Sequence, residues 1–151
     1  MRTVVFDLDG TLADTSADLL ASANACFRAL GQGNVLDGRD ALTAFHGGKA
    51  MLRLGFSRLP GHWSEADVDR AYPALLAAYA DGLDHHTVMY PGAVGAVETL
   101  RGQGYAVAVC TNKPETLALE LLRRLGVLDL FGAVVGADTL ASRKPDAAPY
   151  V

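Results

Sequence analysis

The sequence predicts an α/β fold, a doubly wound core with a parallel sheet, interrupted early by a helical insertion. Three observations carry this. The apolar run Val4-Val5-Phe6 ends in two aspartates and a turn, Asp7-Leu8-Asp9-Gly10. After Tyr90-Pro91-Gly92 the pattern alternates between helix and strand, as in βαβ units. Between these regions, residues 14–87 show helical patterning and no convincing strand.

Val4 to Phe6 reads as a strand buried on both faces. From Ser16 to Leu30, the positions Leu20, Ala23, Phe27 and Leu30 recur at helical spacing, and Gly31 supplies a stop. Gly33 to Asp40 is a polar turn region. Ala41–Phe45 and Ala50–Leu59 read as short helices hinged at Gly47 and Gly48. Ser64 and Asp67 have capping-box spacing, and Val68, Tyr72, Leu75, Leu76 and Tyr79 continue a helical stripe that Pro73 should kink or divide. Tyr72, Tyr79 and Trp63 read as packing aromatics. Ala93–Leu100 is a helix ended by Gly102 and Gly104, and Tyr105–Cys110 a buried strand. Pro114–Leu125 is a helix closed by Gly126, and Ala133–Gly136 a short strand. The core is then 1–13 with 88–151, and the insertion is 14–87.

The chain has 151 residues, half of them hydrophobic, and a formal net charge of −4. That balance argues against a nucleic-acid surface, which usually shows a basic patch. No apolar stretch approaches a membrane span of about 18 residues, and the N-terminus lacks a signal-peptide shape. Cys26 and Cys110 form no CxxC pair and read as buried free thiols, so a cytoplasmic setting is expected.

The chemistry concentrates in three places. Asp7 and Asp9 would sit at the carboxyl end of a strand, where open α/β sheets bind ligands. If the strand stays extended, both side chains point to one side. Their mutual repulsion calls for a divalent cation and a phosphate-binding lysine. Thr111-Asn112-Lys113 lies where a strand opens into a helix, a place suited either to holding phosphate oxygens or to simple helix capping. Lys144, in Arg143-Lys144-Pro145, is the third; a lone lysine before proline is ordinarily solvated.

Asp7-Leu8-Asp9-Gly10-Thr11 resembles motif I of the haloacid-dehalogenase-like superfamily, written Asp-x-Asp-Gly-Thr in its phosphatases. Thr111-Asn112-Lys113 resembles motif II, and Arg-Lys-Pro-x-x-x-Pro resembles motif III of the phosphoglycolate-phosphatase-like branch. The resemblance implies a Rossmann-like core with an inserted C1 cap that reads the substrate. It implies a Mg²⁺-dependent phosphatase acting on a small phosphorylated metabolite through an aspartyl-phosphate intermediate. Asp7 would be the nucleophile and Asp9 the general acid and base. Thr111 would bond the phosphoryl group, helped by the Asn112 backbone, and Lys144 would offset negative charge. Asp7 and the Asp9 carbonyl would hold Mg²⁺. In the cap loop, Lys49 or Arg53 would meet an anionic leaving group, unless they form a solvated cationic face. His85 and His86 read as linker residues.

One part of that resemblance is missing: a motif IV strand ending in Gly-Asp with a further acid. The chain is expected to be truncated before it, leaving the core incomplete and the Val4–Phe6 strand with an unpaired apolar edge prone to association. An inactive fragment or a non-catalytic phosphate-binding module is the alternative function, and a phosphomutase a third. The exact substrate and the oligomeric state are not readable.

Overall fold

A computed structural model describes residues 2–150. In chain order the elements are β1 (Thr3–Phe6), β2 (Ala13–Asp14), α1 (Ser16–Ala29), α2 (Ala41–Ala44), α3 (Gly48–Ser57), α4 (Glu65–Asp81), β3 (Val88–Met89), α5 (Ala93–Gly102), β4 (Ala106–Cys110), α6 (Glu115–Arg124) and β5 (Ala133–Val135). The chain divides into two compact units, Met1–Asp14 with Val88–Val151, and Thr15–Thr87.

The first unit is α/β. Its sheet has the order β1-β4-β5 with all pairs parallel; Val5 lies opposite Ala108, and Val109 opposite Val134. The central strand is β4, whose Val107, Val109 and Cys110 are buried along with Ala118, Leu121 and Leu122 of α6 and Val97 of α5. β1 is less buried than its apolar run predicts. Among the described residues it pairs with β4 alone, and Val5 is 37% exposed. An edge strand has one open flank, so an unbroken apolar run does not guarantee burial on both faces. A second feature escaped the sequence pattern: Ala13–Asp14 pairs antiparallel with Val88–Met89, with Ala13 opposite Met89. Two-residue strands are too short to show a period of two. The Tyr90 N–H extends this ribbon by donating to the Leu12 carbonyl at 2.9 Å.

The second unit is helical. Its core is built from Leu19, Leu20, Ala23, Cys26 and Phe27 of α1, Met51 and Leu52 of α3, and Val68, Leu75 and Tyr79 of α4. Cys26 and Cys110 are both buried free thiols. The Ser64–Asp67 capping box forms, with the Ser64 N–H donating to Asp67 Oδ2 at 2.8 Å. Pro73 does not divide α4, which is assigned unbroken from Glu65 to Asp81. Proline removes the hydrogen bond to the carbonyl four residues back. Here that residue is Asp69, which like Pro73 is exposed, so water can satisfy the freed group. Trp63 stacks on Phe56 with ring centroids 6.3 Å apart.

His86 is more than a linker. The Asp18 carboxylate, almost wholly buried, accepts from the His86 and Thr87 N–H groups and the Thr87 hydroxyl at 2.8 to 2.9 Å through Oδ2. His86 Nδ1 lies 2.8 Å from Asp18 Oδ1. Asp18 therefore ties the first turn of α1 to the end of the same unit. Burial alone would raise the Asp18 carboxyl, but the hydrogen bonds from His86 and Thr87 outweigh it and hold it below the usual 3.8. A depressed carboxyl contributes stability that is present above its unfolded value and lost as pH falls through the lower folded value. Thermal melts of Asp18→Ala should therefore show a less stable protein at neutral pH, since buried donors left unpaired cost about 1–3 kcal/mol each. The deficit relative to wild type should shrink as pH drops below about 4.

Candidate active site

β1 and β4 run parallel, so the residues that follow them emerge at one end of the sheet, the end where such folds place ligands. Asp7 follows β1 and Thr111 follows β4. The regular strand stops at Phe6. The Leu8 carbonyl accepts the N–H groups of Thr11, Leu12 and Ala13 at 3.2, 3.0 and 3.2 Å, folding the chain into a tight loop. Gly10, at a φ of 75°, takes a backbone conformation that a side chain would disfavour. The continued extension that would align Asp7 and Asp9 on one pleat is thus absent.

Each carboxylate has its own lysine. Lys144 Nζ lies 3.0 Å from Asp7 Oδ1, which also accepts the Leu8 N–H at 2.8 Å. Lys113 Nζ lies 2.7 Å from Asp9 Oδ1, with the two side chains only 4% and 15% exposed. Two ammonium groups beside two carboxylates answer the repulsion that their crowding creates. Thr111 is buried, and its Oγ1 accepts the Lys113 N–H at 3.1 Å. Asn112 contributes through its side chain: Nδ2 donates to the Lys144 carbonyl at 3.1 Å. The structure therefore gathers Asp7, Asp9, Thr111, Asn112 and Lys144 from three separate segments and adds Lys113. Lys113 stood in the Thr111-Asn112-Lys113 stretch without a role of its own in the sequence reading. The usable signal was charge balance: two adjacent acids call for two cations.

The loop after β5 fixes this arrangement. The Thr111 N–H donates to the Val135 carbonyl and the Ala137 N–H to the Lys113 carbonyl, both at 2.9 Å. Asp138 Oδ1 accepts the Glu115 N–H at 2.8 Å, capping α6 from a distant segment. Gly136 is required by the close approach, since a Cβ there would lie 2.5 Å from both the Cα and the N of Glu115. Backbone cannot give way cheaply. Gly136→Ala is expected to cost about 1–3 kcal/mol, the usual penalty of overpacking, read as a lowered denaturation midpoint.

The metal expectation can be set against the donors present. The Asp7 side chain is 45% exposed, and the contacts to Lys144 and the Leu8 N–H are both made by Oδ1. With the Asp9 main-chain carbonyl, Asp7 offers the oxygen donors that Mg²⁺ accepts while keeping several waters. Among the described residues, no group of three or more His, Cys, Asp or Glu side chains is placed to hold a metal. Two protein oxygens would leave the remaining positions around such an ion to water and phosphate oxygens.

Lys49 and Arg53 belong to the helical unit, on α3. Both are ion-paired at its surface: Lys49 Nζ to Asp69 Oδ1 at 2.7 Å, and Arg53 to Glu65 through Nε and NH2 at 2.8 and 2.9 Å. Lys49 also lies 5.3 Å from the centre of the Tyr72 ring. The hydrogen bonds that Arg53 donates to Glu65 raise Arg53 above its usual range and lower Glu65.

Comparison with known proteins supplies the family. The phosphoglycolate phosphatase of Agrobacterium fabrum is 39% identical over 145 residues, covering 95% of this chain and 61% of its own length. That of Mesorhizobium japonicum is 37% identical over 143 residues, covering 95% and 63%. The chain thus spans about three fifths of the length of these two relatives. In fold it is similar to a predicted phosphoglycolate phosphatase from Haemophilus somnus 129PT, known from its crystal structure. There the TM-score is 0.82 at 24% identity, over 99% of this chain and 68% of that one. Residues 4–151 match the haloacid dehalogenase-like hydrolase family, and the chain belongs to it.

Proposed function

We propose that the protein is a Mg²⁺-dependent phosphatase for a small phosphorylated metabolite of the phosphoglycolate type, working through an aspartyl-phosphate on Asp7. The observation that carries this reading is the Lys144–Asp7 contact of 3.0 Å at the carboxyl end of the parallel sheet. It places a half-exposed carboxylate beside a fixed positive charge. The names of the two curated relatives support the substrate class.

In this mechanism Asp7 attacks phosphorus and forms an acyl phosphate. The Asp9 carboxyl gives a proton to the departing ester oxygen, then takes one from the water that attacks the phosphorus and restores Asp7. The Thr111 hydroxyl and the Asn112 N–H hold the phosphoryl oxygens. Lys144 offsets charge as it gathers on those oxygens. Bound Mg²⁺, held by Asp7 and the Asp9 carbonyl, would supply further charge neutralisation. A reducing cytoplasmic setting suits the two buried free thiols, and among the described residues no helix is long and apolar enough to cross a membrane.

The test is phosphate release from phosphoglycolate with Mg²⁺ and with the metal chelated. Metal-dependent turnover is expected. Phosphate binding without turnover, with or without the metal, would instead favour a non-catalytic module. Substrate choice has its own test. If α3 reads the leaving group, Lys49→Ala and Arg53→Ala should raise KM for phosphoglycolate more than for a neutral aryl phosphate. Equal effects on both substrates would assign these cations to their surface pairs with Asp69 and Glu65.

A further inference from the structure

Lys113 is a buried lysine that the mechanism above does not use. Its backbone is pinned on both sides, by its N–H donated to Thr111 Oγ1 at 3.1 Å and by its carbonyl, which accepts the Ala137 N–H at 2.9 Å. Those bonds fix where the side chain starts. Its ammonium ends 2.7 Å from Asp9 Oδ1, with the lysine side chain 4% exposed. Asp9 itself lies in the tight loop after β1, joined to Ala13 by a single β-bridge rather than placed in a regular strand. We infer that Lys113 is a positioning residue, restraining the Asp9 carboxylate through Oδ1 so that the group faces the leaving oxygen in one orientation.

This rests on the phosphatase reading and deepens it. Lys144 stands beside the group that attacks, and Lys113 beside the group that handles the proton. The two lysines are therefore not interchangeable. Loss of Lys144 affects every substrate. Loss of Lys113 matters most where the departing oxygen needs a proton.

The experiment compares Lys113→Met, Lys113→Arg and Asp7→Asn with wild type on phosphoglycolate, a poor leaving group, and on an activated aryl phosphate. For Lys113→Met, kcat on phosphoglycolate should fall at least about tenfold further than kcat on the aryl ester, as expected when general-acid catalysis is impaired. KM should change little, and Lys113→Arg should recover part of the loss. An equal loss on both esters, or a loss carried by KM, would overturn the inference and make Lys113 a phosphate ligand or a folding residue. Asp7→Asn separates the two claims: activity surviving there defeats the phosphatase reading itself. A crystal structure of Lys113→Met, or of Lys113→Arg if the first does not fold, provides a readout independent of turnover. A displaced or multiply oriented Asp9 carboxylate is expected, and an unmoved one contradicts the role.

Discussion

Asp7→Asn should lower turnover by about a thousandfold or more, roughly 4 kcal/mol of barrier, while leaving the fold intact. Asparagine keeps the shape of the side chain, and it can still accept the Leu8 N–H that Asp7 Oδ1 accepts at 2.8 Å. It cannot carry the negative charge that the proposed attack on phosphorus requires. Because the wild-type side chain is 45% exposed, the substitution leaves no buried charge unmatched beyond Lys144, itself partly solvated. Steady-state kinetics beside a thermal melt separate the outcomes. Activity within about tenfold of wild type would remove Asp7 from the role of nucleophile.

Lys144→Ala carries the second largest effect. Its ammonium lies 3.0 Å from Asp7 Oδ1, where charge would gather in the proposed phosphoryl transfer. Removing one fixed donor of this kind typically costs about a hundredfold to a thousandfold in kcat. Lys144→Arg should recover only part of that, because the planar guanidinium places its charge differently from a compact ammonium. The loss should be similar for good and poor leaving groups, since the proposed mechanism sets Lys144 on the phosphoryl side. A selective loss on poor leaving groups would assign it to proton transfer and contradict the division of labour with Lys113.

Local chemistry made much of this legible. The Asp7–Thr11 stretch, the turn residues around it and the alternation after Gly92 each state a requirement in consecutive residues. For the same reason the helices α1, α5 and α6 and the strands β4 and β5 lie close to where periodicity puts them. What was not legible depends on partners far away in sequence. Val5 looks buried until its neighbours are known, and it is 37% exposed at the edge of the sheet. Pro73 looks disruptive until Asp69 and Pro73 are both seen to face solvent. Asp18 and His86 carry no shared pattern, yet their contact at 2.8 Å closes the helical unit on itself. Lys113 is the sharpest case in the site. Its burial is tolerable because Asp9 meets it, since an unpaired buried charge is strongly destabilising. No window around residue 113 contains that fact.

The most direct measurement is covalent. The protein is mixed with phosphoglycolate carrying a labelled phosphate and with Mg²⁺, quenched in acid within the first turnovers, digested and mapped by mass spectrometry. The expected result is an acid-stable, base-labile phosphoryl group on Asp7 that is absent in Asp7→Asn. Turnover without any label on the protein, or with the label on another residue, would contradict the aspartyl-phosphate mechanism.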